Sequence, residues 1–181
     1  AAVLARVPHV KGRVEVVPTP TAYTVLIDYA HSPNALENVL LTARDFTAGR
    51  LVCLFGCGGD RDRTKRPLMG AVVRELADVA VVTSDNPRTE DPWAILEDIL
   101  AGMGGPGGEI HIEPDRPQAI RWALAQGRPG DVIVLAGKGH ETYQEVNGVQ
   151  YPMDEREIVA EYFEKQAKRR ERAGNFPAGV V

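Results

Sequence analysis

Short aliphatic and β-branched runs alternate along this chain with longer segments of helical periodicity. Most of the runs are apolar at every position, which is typical of strands covered on both faces of a parallel sheet. The alternation predicts βαβ units, and therefore an α/β, Rossmann-like fold with a mostly parallel central sheet and helices on both faces. The five predicted central strands are Thr24–Asp28, Leu51–Phe55, Val79–Thr83, Glu109–Ile112 and Val132–Leu135.

The segments between these strands carry helix-start signals. Ser32-Pro33 and Asp91-Pro92 each place a capping side chain before a proline at the first helical position, where the missing N–H costs nothing. The predicted helices are Pro33–Thr47, Lys65–Leu76, Pro92–Ala101 and Arg116–Gln126.

The two ends of the chain predict smaller elements. Val14–Val17 is expected to be a short strand, followed by a proline-rich linker. The Asn147-Gly148 pair predicts an antiparallel edge hairpin spanning 142–151, since both turn residues need a positive φ. A capping box at Asp154 predicts a final helix to about Arg172, and residues 173–181 are expected to form a flexible tail.

Composition narrows the class of protein. With 181 residues, 21 basic and 25 acidic side chains and a net charge of −4, the chain has material for one domain and no positive excess to hold a nucleic acid. No apolar run approaches the ~18 residues of a membrane span, and no secretory signal is recognisable. We therefore expect a soluble, intracellular domain, and we also expect it to be a monomer. Cys53 and Cys57 lack the partners of a zinc site and are expected to be buried thiols, so no metal ligands are assigned.

Polar residues gather where four of the predicted strands end. The carboxyl ends of parallel strands meet at one edge of an open sheet, and that edge is where ligands bind in such folds. Because four loops rich in polar and charged residues converge there, we predict a binding site at this edge. The four loops are Asp28–Pro33, Gly56–Arg63, Ser84–Arg88 and Gly137–Glu141.

Each of these sequence motifs, taken alone, is a weaker indication of a particular ligand than the four loops together are of a binding site. The glycine turn at 56–59 suggests a dinucleotide site, but Arg61 stands where a small residue is needed and no acid ends the next strand, which disfavours an oxidoreductase. Gly137-Lys138-Gly139 lacks the other positions of a Walker loop. Asp28 could instead simply cap a turn, and His31 alone could do no more than satisfy a neighbour. His9 and His111 have no companions and are treated as background.

The loop around Arg88 is more informative. Pro87 fixes one φ angle and restricts the preceding Asn86, so Arg88 is held in a defined direction. A guanidinium suits a carboxylate, and Glu141 suits an ammonium. Arg61, Arg88 and Glu141 around one crevice therefore describe a zwitterionic ligand similar to an amino acid.

Five ordered motifs together resemble the C-terminal domain of the Mur ligases, and within that family the diaminopimelate-adding members. They are Gly12–Glu15, Asp28–Pro33, Gly56–Asp62, Asp85–Arg88 and Gly137–Glu141. The resemblance implies an ATP-dependent cytoplasmic ligase of three domains. An N-terminal domain would hold UDP-MurNAc-L-Ala-D-Glu, a central domain ATP and Mg²⁺, and this chain meso-diaminopimelate. Residues 1–18 would then be the end of the central domain and a linker, and 19–172 the C-terminal domain.

The resemblance also implies roles for single residues. Arg88 would grip the distal carboxylate of diaminopimelate, a group that L-lysine lacks. The diaminopimelate contacts would be Arg61, Asp85, Asn86, Arg88, Gly137 and Glu141, and the nucleotide-facing residues Arg13, Asp28 and His31. No residue of the chain is assigned a catalytic role beyond positioning, and without a Walker loop the chain alone is expected not to turn over ATP.

Two alternatives remain open besides the disfavoured oxidoreductase. One is a lysine-adding relative, which the sequence at Arg88 opposes. The other is a non-catalytic amino-acid-binding module, which would have no need of nucleotide-facing residues such as Arg13.

Overall fold

Six strands form the central sheet of the computed structural model, which describes residues 11–174. They are β1 (Glu15–Val17), β2 (Thr24–Asp28), β3 (Leu51–Phe55), β4 (Val79–Val82), β5 (Glu109–Ile112) and β6 (Val132–Ala136). Their order is β1-β2-β6-β3-β4-β5, and every neighbouring pair is parallel except β1 with β2. The predicted α/β fold with a mostly parallel sheet is confirmed.

Helices cover both faces of this sheet. They are α1 (Pro33–Arg44), α2 (Lys65–Leu76), α3 (Pro92–Leu100), α4 (Arg116–Gln126) and α5 (Glu155–Gly174). Successive side chains of a strand point to opposite faces, so in β3 Cys53 packs with α1, α2 and α3, whereas Val52 and Leu54 pack with α4 and α5. The two resulting cores hold the carboxyl ends of the strands in fixed positions.

The predicted caps start the helices as expected. The Ser32 hydroxyl accepts a hydrogen bond from the Ala35 N–H, and the Asp91 carboxylate accepts one from the Trp93 N–H. The helix ends differ slightly from prediction: α1 stops at Arg44 because the Phe46 and Thr47 amides turn back to carbonyls three residues earlier. Helix α5 continues through Gly174, so the predicted tail from 173 begins inside a helix, and residues 175–181 lie outside the described part.

The short strand predicted at Val14–Val17 is present as β1. It pairs with β2 at the edge of the central sheet, with Glu15 opposite Ile27. The domain boundary at residue 18 stays a prediction, although the strand before it is hydrogen-bonded into the same sheet. Residues 1–10, including His9, lie outside the described residues.

The predicted hairpin is also present, as β7 (Tyr143–Val146) and β8 (Val149–Pro152), with positive φ angles at Asn147 and Gly148. It does not join an edge of the central sheet but forms a two-stranded sheet of its own. The reason is that β7 pairs with a loop: the Arg88 N–H donates to the Glu145 carbonyl, and the Asn147 N–H donates to the Arg88 carbonyl. The hairpin is thereby fixed beside the loop that follows β4.

Among residues 11–174, none of the helices has the length and apolarity that crossing a bilayer requires. Both cysteines are free and buried, as predicted.

Candidate functional site

The four polar loops meet in one cavity of about 210 Å³ at the carboxyl ends of β2, β3, β4 and β6. Residues from all four loops line it, together with Lys65 from the first turn of α2. The lining residues are Tyr29, His31, Gly56, Cys57, Gly58, Arg61, Lys65, Asp85, Asn86, Arg88, Gly137 and Glu141.

All six residues predicted to contact diaminopimelate, together with His31, therefore lie around a single cavity. The structure does not place Arg13 and Asp28 in its lining. The roles assigned to these residues stay predictions, because the cavity shows their proximity and not what they bind.

Arg88 is fixed by two hydrogen bonds from its guanidinium. Nε lies 3.1 Å from Glu145 Oε2, and Nη1 donates to the Gly59 carbonyl at 2.8 Å. Among residues 11–174, Nη2 has no hydrogen-bond partner. The backbone of Arg88 has a φ of 53°, a left-handed conformation uncommon for residues with a Cβ. The surrounding loop and hairpin hold this conformation, with Arg88 in the lining of the cavity.

Two glycines make this arrangement possible. A Cβ on Gly59 would lie 1.9 Å from the Pro87 carbonyl oxygen, so the loops after β3 and β4 approach too closely for any other residue. The Gly59 N–H donates to the Asn86 carbonyl across the same contact. Gly137 has a φ of 113°, where a side chain is strained.

The cavity is also lined by two acidic residues, Asp85 and Glu141. Glu141 Oε2 accepts a hydrogen bond of 3.0 Å from Asn86 Nδ2. Beneath them lies Lys138, which is completely buried and whose ammonium contacts Glu141, Asp85, Asn86 and the Tyr143 carbonyl. Cationic and anionic side chains therefore line the same small cavity.

Lys138 was missed as a site residue by sequence reasoning. The glycines on either side of it suggested a phosphate loop, and that comparison failed. Because its partners Asn86 and Asp85 lie more than fifty residues away in sequence, no local spacing indicated the contact.

A second buried cation, Arg66, supports the loop after β3. Its guanidinium pairs with Glu90 at 2.7 Å and Asp98 at 2.8 Å, and it also donates to the Gly58 carbonyl. Glu90 in turn accepts from the Asp60 N–H. Arg66 thus holds the glycine turn at its position beside the cavity.

This support predicts an acid-sensitive contribution to stability. The hydrogen bond from Arg66 holds the pKa of Glu90 at about 2, below its ordinary 4.5. A lowered pKa in the folded state stabilises the fold above pH 4.5, and this contribution is lost as the pH falls towards 2. In urea titrations over this range, Glu90→Gln is expected to flatten the pH dependence of the unfolding free energy. Glu97→Gln, an exposed site on α3, is the matched control and should leave the slope unchanged.

Arg13 packs on Tyr29, which is one of the residues that line the cavity. The Arg13 guanidinium lies 5.5 Å from the centre of the Tyr29 ring. The rings of His31 and His140 lie 4.7 and 5.1 Å from that ring. Burial raises the pKa of Tyr29, and the nearby Glu141 adds to the shift, so the phenol stays protonated. These four residues form a group that presents cationic and aromatic surface next to the predicted amino-acid site.

Asp28 acts on this group through the backbone. One of its carboxylate oxygens accepts from the Val14 N–H and the other from the Ala30 N–H, each at 2.8 Å. Both carboxylate oxygens of Asp28 thus accept hydrogen bonds from backbone N–H groups, as expected of a residue that caps a turn. By holding the Val14 amide, Asp28 also fixes the segment that presents Arg13.

Cys57 contributes a thiol to the lining of the cavity. Burial raises the pKa of its thiol to about 12, and its sulfur lies 3.6 Å from Met69 Sδ. It therefore stays a protonated thiol. Among residues 11–174, no group of three His, Cys, Asp or Glu side chains is placed to hold a metal ion.

Comparison with known proteins identifies related chains. The model of the family described as Mur ligase, glutamate ligase domain, matches residues 12–139. The UDP-N-acetylmuramoyl-L-alanyl-D-glutamate--2,6-diaminopimelate ligase of Chromobacterium violaceum is 51% identical over 171 residues, which cover 93% of this chain and 34% of that protein.

Two solved structures of ligases are also similar to this chain. A UDP-N-acetylmuramoyl-L-alanyl-D-glutamate--2,6-diaminopimelate ligase matches with a TM-score of 0.83 and 41% identity, over 90% of this chain and 33% of that one. The MurF ligase of Thermotoga maritima, solved in complex with ADP, shares the fold at 20% identity, with a TM-score of 0.56 over 92% and 34% of the two chains. The chain spans about a third of the length of the relatives it matches.

Proposed function

We propose that this chain, which belongs to the Mur ligase family by its match over residues 12–139, is the part of a diaminopimelate-adding ligase that binds the incoming amino acid. The complete enzyme would join meso-diaminopimelate to UDP-MurNAc-L-Ala-D-Glu in peptidoglycan synthesis. ATP would activate the D-glutamyl carboxylate as an acyl phosphate, and the amine of diaminopimelate would then attack it.

One observation carries this proposal: the Arg88 guanidinium, whose Nη2 has no partner among residues 11–174, and the Glu141 carboxylate line the same cavity. Arg88 Nη2 would donate to the distal carboxylate of diaminopimelate, with Asn86 and Arg61 assisting. Glu141 and the Gly137 carbonyl would take the distal ammonium. L-lysine has no distal carboxylate and would leave Arg88 unpaired, which supports diaminopimelate as the substrate. In the reaction, this part of the enzyme would bind the amino acid and orient its amine.

The nucleotide would approach from the side of Arg13. Its guanidinium is exposed beside Tyr29 and His31, where a cation and aromatic rings suit phosphates and a flat base. Asp28 would contribute by holding the backbone at Val14.

The remaining requirements would be met outside this chain. ATP and Mg²⁺ would be held mainly by the central domain of the complete ligase, and the chemistry they supply is phosphoryl transfer to the glutamyl carboxylate. The complex of a related fold with ADP supports an adenine nucleotide in this family.

The test compares the complete ligase with residues 1–181 alone. The complete enzyme is expected to release phosphate from ATP when UDP-MurNAc-L-Ala-D-Glu and meso-diaminopimelate are both present, and L-lysine should support far less turnover. The isolated chain should give no turnover, since it contains no Walker loop. A steady-state phosphate-release assay measures all three.

Two outcomes would oppose the proposal. Turnover with L-lysine equal to that with diaminopimelate would favour the lysine-adding alternative. A complete protein that binds diaminopimelate in calorimetry and never consumes ATP would favour an amino-acid-binding module.

A further inference from the structure

Lys138 is completely buried, does not line the cavity and nevertheless contacts three residues that do. Its Nζ lies 3.2 Å from Asp85 Oδ1 and 3.3 Å from Glu141 Oε2, and it donates to Asn86 Oδ1 and, at 2.8 Å, to the Tyr143 carbonyl. The loops after β4 and β6 and the hairpin are thus joined at one ammonium.

These contacts decide how the Asn86 amide is oriented. Its Oδ1 accepts from Lys138 and from the Glu145 N–H at 2.9 Å. An ammonium and a backbone N–H can only donate, so a flipped amide would place its own NH₂ against two donors. Nδ2 must therefore face Glu141, to which it donates at 3.0 Å. One of its two hydrogens is used there, and no acceptor within residues 11–174 takes the other, which is therefore available to a ligand carboxylate.

The same ammonium offsets part of the charge of the two acidic residues. Asp85 and Glu141 carry two formal negative charges and Lys138 carries one positive charge, so the group has an excess of one negative charge. That excess matches one ligand ammonium. Asp85 Oδ1 is buried and, among residues 11–174, has no partner in hydrogen-bond geometry, so the acceptor capacity of the group is not filled from within.

We propose that Lys138 is a positioning residue that fixes Asn86 and Glu141 to receive the distal carboxylate and the distal ammonium of the amino acid, without touching it. This inference rests on the proposed function, because it assigns Lys138 to the same ligand site. Lys138 acts by orienting the Asn86 amide and by holding the Glu141 carboxylate in place.

The test measures selectivity in the complete ligase. Two substrate analogues separate the contacts: 2-aminopimelate lacks the distal ammonium, and L-lysine lacks the distal carboxylate. In Lys138→Met, KM for meso-diaminopimelate should rise about 30-fold while kcat changes far less, since charge-assisted contacts to the ligand are lost. The preference for diaminopimelate over 2-aminopimelate should fall roughly tenfold, because the Glu141 contact serves only the former. KM for ATP should stay unchanged.

A double-mutant cycle separates positioning from general support. If Lys138 acts through Asn86, Lys138→Met should add little to the KM defect of Asn86→Ala, whereas independent effects would add. Arg50→Met is the matched control. It removes the ion pair to the buried Asp131 at the amino ends of β3 and β6, away from the site. It should lower the melting temperature without changing the preference for diaminopimelate over either analogue. If Lys138→Met does not fold, Lys138→Gln replaces it in the same measurements.

The outcomes are distinguishable. Wild-type ligase that does not use diaminopimelate overturns the proposed function itself. Wild-type ligase that uses it, combined with a Lys138 variant of unchanged selectivity or with fully additive effects in the cycle, overturns only the inference about Lys138.

Discussion

Replacing Arg88 with alanine is expected to weaken the binding of meso-diaminopimelate to the complete ligase roughly 30- to 150-fold. The guanidinium is pre-aligned by Glu145 and the Gly59 carbonyl, so its remaining donor reaches a ligand carboxylate without further ordering. Hydrogen bonds to charged groups contribute about 2–3 kcal/mol, which corresponds to that loss. Calorimetry with diaminopimelate measures it directly, and binding of ATP should be unchanged.

Two further variants make the result specific. Arg88→Lys keeps the charge and loses the planar fork, so an intermediate loss is expected. Both Arg88 variants keep a Cβ at the positive φ of this residue, so backbone strain does not differ between them. Arg63→Ala removes an exposed arginine that pairs with Asp98 and does not line the cavity, and it should bind as the wild type does. Unchanged affinity in Arg88→Ala would show that the distal carboxylate is held elsewhere.

The edge of the sheet on which the site lies could be predicted from sequence because it depends on chain direction alone. Runs such as Leu51–Phe55 and Val132–Ala136 are apolar at every position, which indicates strands covered on both faces. Once such strands are parallel, the loops that follow them must meet. The six predicted amino-acid contacts accordingly lie around one cavity.

The buried cations beneath that cavity could not be predicted in the same way. Arg66 meets carboxylates 24 and 32 residues away, and Lys138 meets Asn86 at a separation of 52. Sequence spacing reports on neighbours within a helix or a hairpin and not on pairs formed by the packing of separate loops. A lysine between two glycines therefore looked like part of a failed phosphate loop.

The hairpin could likewise be predicted from sequence, whereas its position in the fold could not. Asn147-Gly148 determines that a hairpin forms there, because the turn requires positive φ at both positions. Its location depends on the backbone of Arg88, whose N–H and carbonyl pair with β7. That pairing exists only after the loop after β4 has adopted its strained conformation, which no local pattern encodes.

Arg116→Met is expected to lower the free energy of unfolding by about 3–5 kcal/mol, the largest effect on stability predicted for this chain. Arg116 and its partner Glu155 are both completely buried, with Nη2 2.8 Å from Glu155 Oε1. The guanidinium also donates to the Ala136 carbonyl at 2.7 Å and the Ser84 carbonyl at 3.3 Å. Removing it strands a carboxylate and two carbonyls in the core. Urea titration followed by circular dichroism measures the loss.

The size of the effect depends on the stranded carboxylate, and a second substitution tests that cause. Glu155→Gln in the Arg116→Met background removes the uncompensated charge and should recover part of the lost stability, because a neutral buried pair does not carry the same desolvation cost. Arg44→Met breaks an ion pair to Asp78 that is about two-fifths exposed, and should cost less than about 1 kcal/mol. Equal losses in Arg116→Met and Arg44→Met would contradict a stabilising role for the buried pair. The two carbonyls that Arg116 holds belong to Ala136 and Ser84, which directly precede the cavity residues Gly137 and Asp85. Arg116→Met should therefore also weaken the binding of diaminopimelate.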